Sequence, residues 1–149
     1  MELEKSVEIE KSLTDVWNAV VDFENCQTYI SSIKSIEVLN KPIDTLVGFK
    51  WKETRIMFGK EATETMWVTD YIENSFYQTR AESHGSVYIS KLAVEPVGNN
   101  TKLTMSFRSE PQSFFVKVLS ACIGFLAKGA MTKALTKDLT DIKTYLESK

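Results

Sequence analysis

The stretch "FKWKETRIMFGKEATETMWV", residues 49–68, holds two alternating runs on either side of Phe58-Gly59. Phe49 and Trp51 alternate with Lys50 and Lys52, as on a strand with one buried face, yet the next residues on the apolar side are Glu53 and Arg55. Taking Phe58-Gly59 as a hairpin turn sets Phe49 opposite Val68, Trp51 opposite Met66, Glu53 opposite Glu64 and Arg55 opposite Ala62. A slip by one residue would exchange Met66 and Val68 for Thr65 and Thr69 and bury less, so this register is favoured although it leaves Trp67 outside. Two readings of the inward charges follow. Either a bulge near Thr54 rotates Glu53 and Arg55 outward and turns Ile56 and Phe58 in, or the space behind the strand is not an ordinary core.

Working outward, the same procedure at His84-Gly85 pairs Tyr77 with Leu92, Thr79 with Ser90 and Ala81 with Tyr88. At "PVGNNT" it pairs Val94 with Leu103, Leu92 with Met105 and Glu95 with Lys102. The hairpins agree on one inner face, and the outward set of Arg80, Glu82, Lys91 and Arg108 is polar enough for water. For the strand pair without a tight turn, the expected register places Ala81 beside Glu64. Pro111 closes the meander.

Upstream, "LEKSVEIE" (3–10) is a first strand with Leu3, Val7 and Ile9 on one side. Ser12 caps a short helix whose Leu13, Val16, Trp17, Val20 and Val21 form an apolar stripe, with Asp15 imitating a capping box. "DFENCQTYI" continues as a second short helix over about 23–30, and "SIEVLN" is strand two. Downstream, everything after Ser113 is helical: 114–127 is almost wholly apolar, and 131–146 carries Met131, Leu135, Leu139, Ile142 and Leu146 on one stripe. Gly124 and Gly129 allow a bend or break between the halves. The apolar half is shorter than the ~20 residues that span a bilayer and carries Lys117, so a transmembrane reading fails.

The 149 residues suit one domain, 1–149, with a core that needs no disulfide or metal. A hydrophobic share of 43% with 26% charged residues excludes a disordered or fibrous chain. A net charge of -2 without a basic stripe argues against nucleic acid. Two cysteines, Cys26 and Cys122, and a start without a basic and apolar leader predict a cytoplasmic protein with reduced thiols. One histidine and two distant cysteines offer no zinc spacing, and no cofactor is expected. His84 reads as a turn residue, both cysteines as small hydrophobes, and Trp17 as packing for its helix.

The order of strand, two short helices, antiparallel meander and long C-terminal helix is similar to the helix-grip fold of the START-like (SRPBCC) superfamily, which includes the birch-pollen-allergen-like proteins. "VEIEKSLTDVWNAVVDFENCQTYI" resembles the opening of its polyketide cyclase/dehydrase branch, and "GFKWKETRIMFGKEATETMWVTDY" the central hairpin of that branch. The chain departs from the family in having Leu13 where a proline is common and Tyr29 where a tryptophan is. The resemblance implies an α+β fold in which a curved seven-stranded antiparallel sheet wraps a long C-terminal helix, with two short helices between strands one and two. It also implies a deep cavity for lipids, polyketides or other apolar molecules, and it implies no reaction.

With such a cavity, Glu53, Arg55 and Glu64 line it and find one another or water. The expected wall is Trp51, Glu53, Arg55, Glu64, Met66, Tyr77, Thr79, Tyr88, Ser90, Leu92, Met105, Phe107, Met131 and Leu135, with the segment from Phe114 to Ala127 gating access. Three functions remain open. The first is a carrier or sensor of a small hydrophobic molecule, acting as monomer or homodimer without integral membrane association. The second is a cyclase or dehydratase in which Glu53 or Glu64 moves a proton, the two titrating as a coupled pair beside Arg55. The third is a stress or interaction adaptor without ligand.

Overall fold

The computed structural model describes residues 2–57, 59–83, 86–111 and 114–149, with their side chains except at positions 57, 83, 111 and 114–127. Among these residues seven strands form one antiparallel sheet: β1 (Glu2–Ile9), β2 (Ile33–Asn40), β3 (Lys50–Met57), β4 (Lys60–Ile72), β5 (Phe76–Ser83), β6 (Ser86–Val97) and β7 (Asn100–Pro111). The spatial order is β1-β7-β6-β5-β4-β3-β2, so the first two strands of the chain are the two edges. Between them run α1 (Leu13–Val20) and a short 3-10 helix (Phe23–Thr28). The long α2 (Phe114–Glu147) packs against β1, β7 and α1. This is the helix-grip fold.

The local chemistry explains the elements. Ser12 Oγ accepts a hydrogen bond from the Asp15 backbone N–H at 3.2 Å, and Val16, Trp17 and Val20 bury the stripe of α1. Ile9, Val16, Val20, Val68, Leu103, Leu139 and Ile142 form the most enclosed part of the core, where α1, α2 and the inner sheet face meet. Trp17 belongs to this core, edge-on to Tyr77 at 6.4 Å. The end of α2 is tied to the sheet edge: Glu147 accepts from the Glu10 N–H at 2.8 Å, and Lys143 Nζ donates to the Glu8 carbonyl at 2.6 Å.

The registers read from turns all hold: Trp51 pairs with Met66, Glu53 with Glu64, Tyr77 with Leu92, and Val94 with Leu103. The register of β3 against β4 runs unbroken from Lys50↔Trp67 to Met57↔Lys60, so no bulge at Thr54 turns Glu53 and Arg55 away. Three expectations are corrected. Ala81 lies opposite Met66 rather than beside Glu64, because β4 and β5 shift register between Val68 and Asp70. That extra residue moves the inward phase from Tyr71 to Val68 and Met66, so both strands keep apolar groups inside. Strand two begins earlier, at Ile33, and α2 continues as one element past Gly124 and Gly129 rather than breaking there, whereas the expected second short helix is present as a 3-10 element of six residues. The Phe58 and His84-Gly85 turn residues, the Cys122 side chain and the expected gate over 114–127 lie outside the described residues.

Candidate functional site

A cavity of about 390 Å³ remains between the inner face of the sheet and α2. Protein interiors seldom leave voids larger than a water molecule, so a space of this size is a feature the sequence maintains. Its sheet wall carries Trp51, Glu53 and Arg55 from β3, Glu64 and Met66 from β4, Tyr77 and Thr79 from β5, Tyr88, Ser90 and Leu92 from β6, and Met105 and Phe107 from β7. Met131 and Leu135 face it from α2. Every wall residue expected from the sequence is therefore brought to one space. The alternation of each strand delivers every second side chain to the same side.

One end is closed by the second short helix, in the region 23–30 expected to close it, through side chains that were not among the expected wall residues. Phe23, from the 3-10 helix, stacks on Trp51 with ring centroids 4.8 Å apart and meets Tyr77 edge-on at 5.1 Å. Tyr29 stacks on Tyr145 at 4.0 Å and donates its hydroxyl to the Ala19 carbonyl at 3.1 Å. Cys26 lies beside it, and burial pushes its thiol up to about 11, so it remains a protonated hydrophobe rather than a nucleophile. Burial also holds the Tyr77 phenol well above its ordinary range.

The polar part of the wall is an ion triad. Arg55 Nε donates to Glu53 Oε2 at 2.9 Å, and Arg55 Nη1 lies 3.0 Å from Asp138 Oδ2 on α2. The other Glu53 oxygen accepts from the Trp51 indole N–H at 3.2 Å. Side-chain exposures of 11% for Glu53, 20% for Arg55 and 5% for Asp138 mark the triad as largely dry. The second oxygen of Asp138, Oδ1, is buried without a hydrogen-bond partner. Burial raises the Asp138 carboxyl above its ordinary value, and the Arg55 cation opposes that rise. Glu64 stands across from Glu53 on the wall, and Asp138 on α2 adds a carboxylate that shares Arg55 with Glu53.

Asp138 is the residue sequence reasoning missed, and a signal for it existed. It falls between Leu135 and Ile142 at helical spacing, inside the apolar stripe of α2. An acid on a buried helix stripe asks for a partner as plainly as an inward arginine on a strand does.

Among the described residues no group of three or more His, Cys, Asp and Glu is placed to hold a metal ion. Among them, too, no helix is long and apolar enough to cross a membrane. The family model described as "Polyketide cyclase / dehydrase and lipid transport" matches residues 1–147. No curated protein sequence matches the chain. Among solved structures, the protein TTHA0849 from Thermus thermophilus is similar with a TM-score of 0.82 at 13% identity, over 99% of this chain and 98% of that one. A START superfamily protein from Mycobacterium smegmatis gives a TM-score of 0.74 at 20% identity, covering 97% and 98% of the two chains. The Zhui aromatase/cyclase from Streptomyces sp. R1128 gives 0.77 at 11% identity, covering 99% and 93%. At these identities the likeness is one of fold.

Proposed function

Because this chain belongs to the polyketide cyclase/dehydrase and lipid transport family of the START-like (SRPBCC) superfamily, we propose that it holds a small apolar or amphipathic molecule between its sheet and α2. It acts as a cytoplasmic carrier or sensor, one domain of 149 residues working as a monomer or homodimer. The observation that carries this reading is the cavity itself: a space of about 390 Å³ whose wall, among the described residues, is mostly apolar with a charged group at Glu53, Arg55 and Asp138. Burial of ligand surface there contributes roughly 25 cal/mol per Å² of apolar area, and the charged corner sets orientation.

Native mass spectrometry of protein purified from its own host tests the reading directly, with a co-purifying small molecule as the expected result. A second test fills the space. Ala81 is buried on the wall, opposite both Met66 and Tyr88, so Ala81→Trp projects an indole into the cavity. The variant is expected to bind the neutral dye Nile red at least about tenfold more weakly than the wild type. Unchanged dye binding in a folded variant would place the ligand elsewhere.

A cyclase or dehydratase reading draws on the carboxylates of the wall, Glu53, Glu64 and Asp138, and on the fold shared with an aromatase/cyclase. Turnover of a bound carbonyl compound separates it from the carrier reading. A host-purified protein that carries nothing and turns nothing over would leave the adaptor role.

A further inference from the structure

We propose that the charged corner takes an apolar ligand by an uncharged carbonyl, that of a ketone or ester, whose oxygen accepts from the N–H groups that Arg55 leaves unused. This inference rests on the ligand-binding reading above and names the head group of its ligand.

A guanidinium carries five N–H donors on three nitrogens. In Arg55 the Nε–H serves Glu53, and Nη1 faces Asp138 Oδ2. These contacts leave N–H donors over, those of Nη2 among them. Arg55 is also the least enclosed of the three charged residues, and it lines the cavity. Trp51 does not compete as a donor, because its indole N–H is given to Glu53. What the corner offers a ligand is therefore a donor that carries charge.

The surroundings of that donor decide which acceptor suits it. Glu53 on β3 and Asp138 on α2 both hold Arg55, so its single positive charge already faces two negative ones. A carboxylate seated on Nη2 would come close to both, because the three nitrogens belong to one small planar group. It would gain little net attraction from the triad and would still lose its hydration. A carbonyl oxygen accepts the same hydrogen bond with no charge to bring out of water. A bond from an ionised donor is roughly twice as strong as one between neutral groups. The carbonyl also brings no donor of its own that the wall would have to satisfy. The remainder of the ligand lies against Met66, Leu92, Met105 and Leu135.

Three ligands with one heptyl tail read the head group: methyl heptyl ketone, octanoate, and the methylidene analogue of the ketone, which has C=CH2 in place of C=O. Nuclear magnetic resonance titration of nitrogen-labelled protein near neutral pH reads affinity from the backbone amides and contact from the arginine side chains. The chain's other arginines, Arg80 and Arg108, are paired with Glu82 and Glu110 and do not line the cavity. Arg80→Lys and Arg108→Lys therefore identify the Arg55 signals without touching the site. The ketone is expected to move the Arg55 Nη–H resonances downfield, as a new hydrogen bond does, and the methylidene analogue to bind and leave them in place. Octanoate is expected to bind at least about tenfold more weakly than the ketone. A ketone that binds with the Arg55 signals unmoved, or an analogue that moves them equally, would overturn the carbonyl contact while leaving the cavity as a ligand site. Octanoate binding as tightly as the ketone would overturn the restriction to an uncharged head. Failure of all three ligands to bind would remove the ligand-binding reading, and this inference with it.

Discussion

Replacing Arg55 by methionine is expected to cost about 3–5 kcal/mol at neutral pH, because it leaves Glu53 and Asp138 buried beside each other without their cation. For a domain whose total stability is on the order of 5–15 kcal/mol, that is a large share. The loss should shrink in acid. Burial already raises Asp138 above its ordinary 3.8, and removing Arg55 takes away the group that opposes the rise. An acid whose folded value is raised is penalised in its ionised form; the penalty is full above the folded value and vanishes below the unfolded one. Stability of Arg55→Met should therefore recover, relative to wild type, as pH falls from neutrality toward about 3.8. Urea unfolding across pH checks both parts. A loss under about 1 kcal/mol without pH dependence would mean that water reaches the triad.

Breaking the triad and replacing it should differ. The combination Glu53→Gln, Arg55→Met and Asp138→Leu removes all three charges and keeps an acceptor for the Trp51 indole. Stability is expected to return to near the wild-type value or above it, since dry apolar groups avoid the desolvation that the ions suffer.

The second large effect is expected at Phe23. Its ring is buried and meets Phe49, Trp51 and Tyr77 at centroid distances of 4.9, 4.8 and 5.1 Å, which makes it the hub of the aromatic group at the closed end. Phe23→Ala is expected to cost about 3–5 kcal/mol through lost burial and the void left behind. Because Phe23 also lines the cavity, the truncation lengthens it, so the variant should favour a longer alkyl tail than the wild type does. Chemical denaturation measures the first effect and calorimetry with methyl ketones of increasing length the second. A cost below about 1 kcal/mol with an unaltered length preference would show that the ring does not close that end.

The sheet was legible wherever a tight turn set the phase. Trp51 against Met66 and Tyr77 against Leu92 follow from turn position and alternation alone, since a slip of one residue would expose an entire face. Between β4 and β5 the phase was not legible. The connection there turns through Asn74 at a positive φ of 61, and a bulge after Val68 resets the alternation, so Ala81 meets Met66. A bulge leaves no mark in composition, because any residue can be the extra one. The site divides along the same line. Inward Glu53 and Arg55 were visible as violations of a strand pattern, whereas Asp138 was hidden in a helix stripe broad enough to look complete without it.

The placing of β1 and β2 at opposite edges also dictates a history for each folding molecule. From β2 to β7 every strand pairs with its neighbour in the chain, as Met57 does with Lys60, and such contacts close short loops quickly. β1 instead pairs with β7, Glu2 against Arg108, and that meeting must wait for nearly the whole meander. During synthesis β1 leaves the ribosome long before its partner exists. Until β7 arrives, Leu3 and Ile9 have no sheet to cover them, and the strand presents open backbone groups to any neighbour. The side chains on its outer face include Glu2, Glu4 and Glu8, whose repulsion keeps one nascent copy from pairing with another. The outward charges of β1 thus protect the chain in the interval before it has a fold.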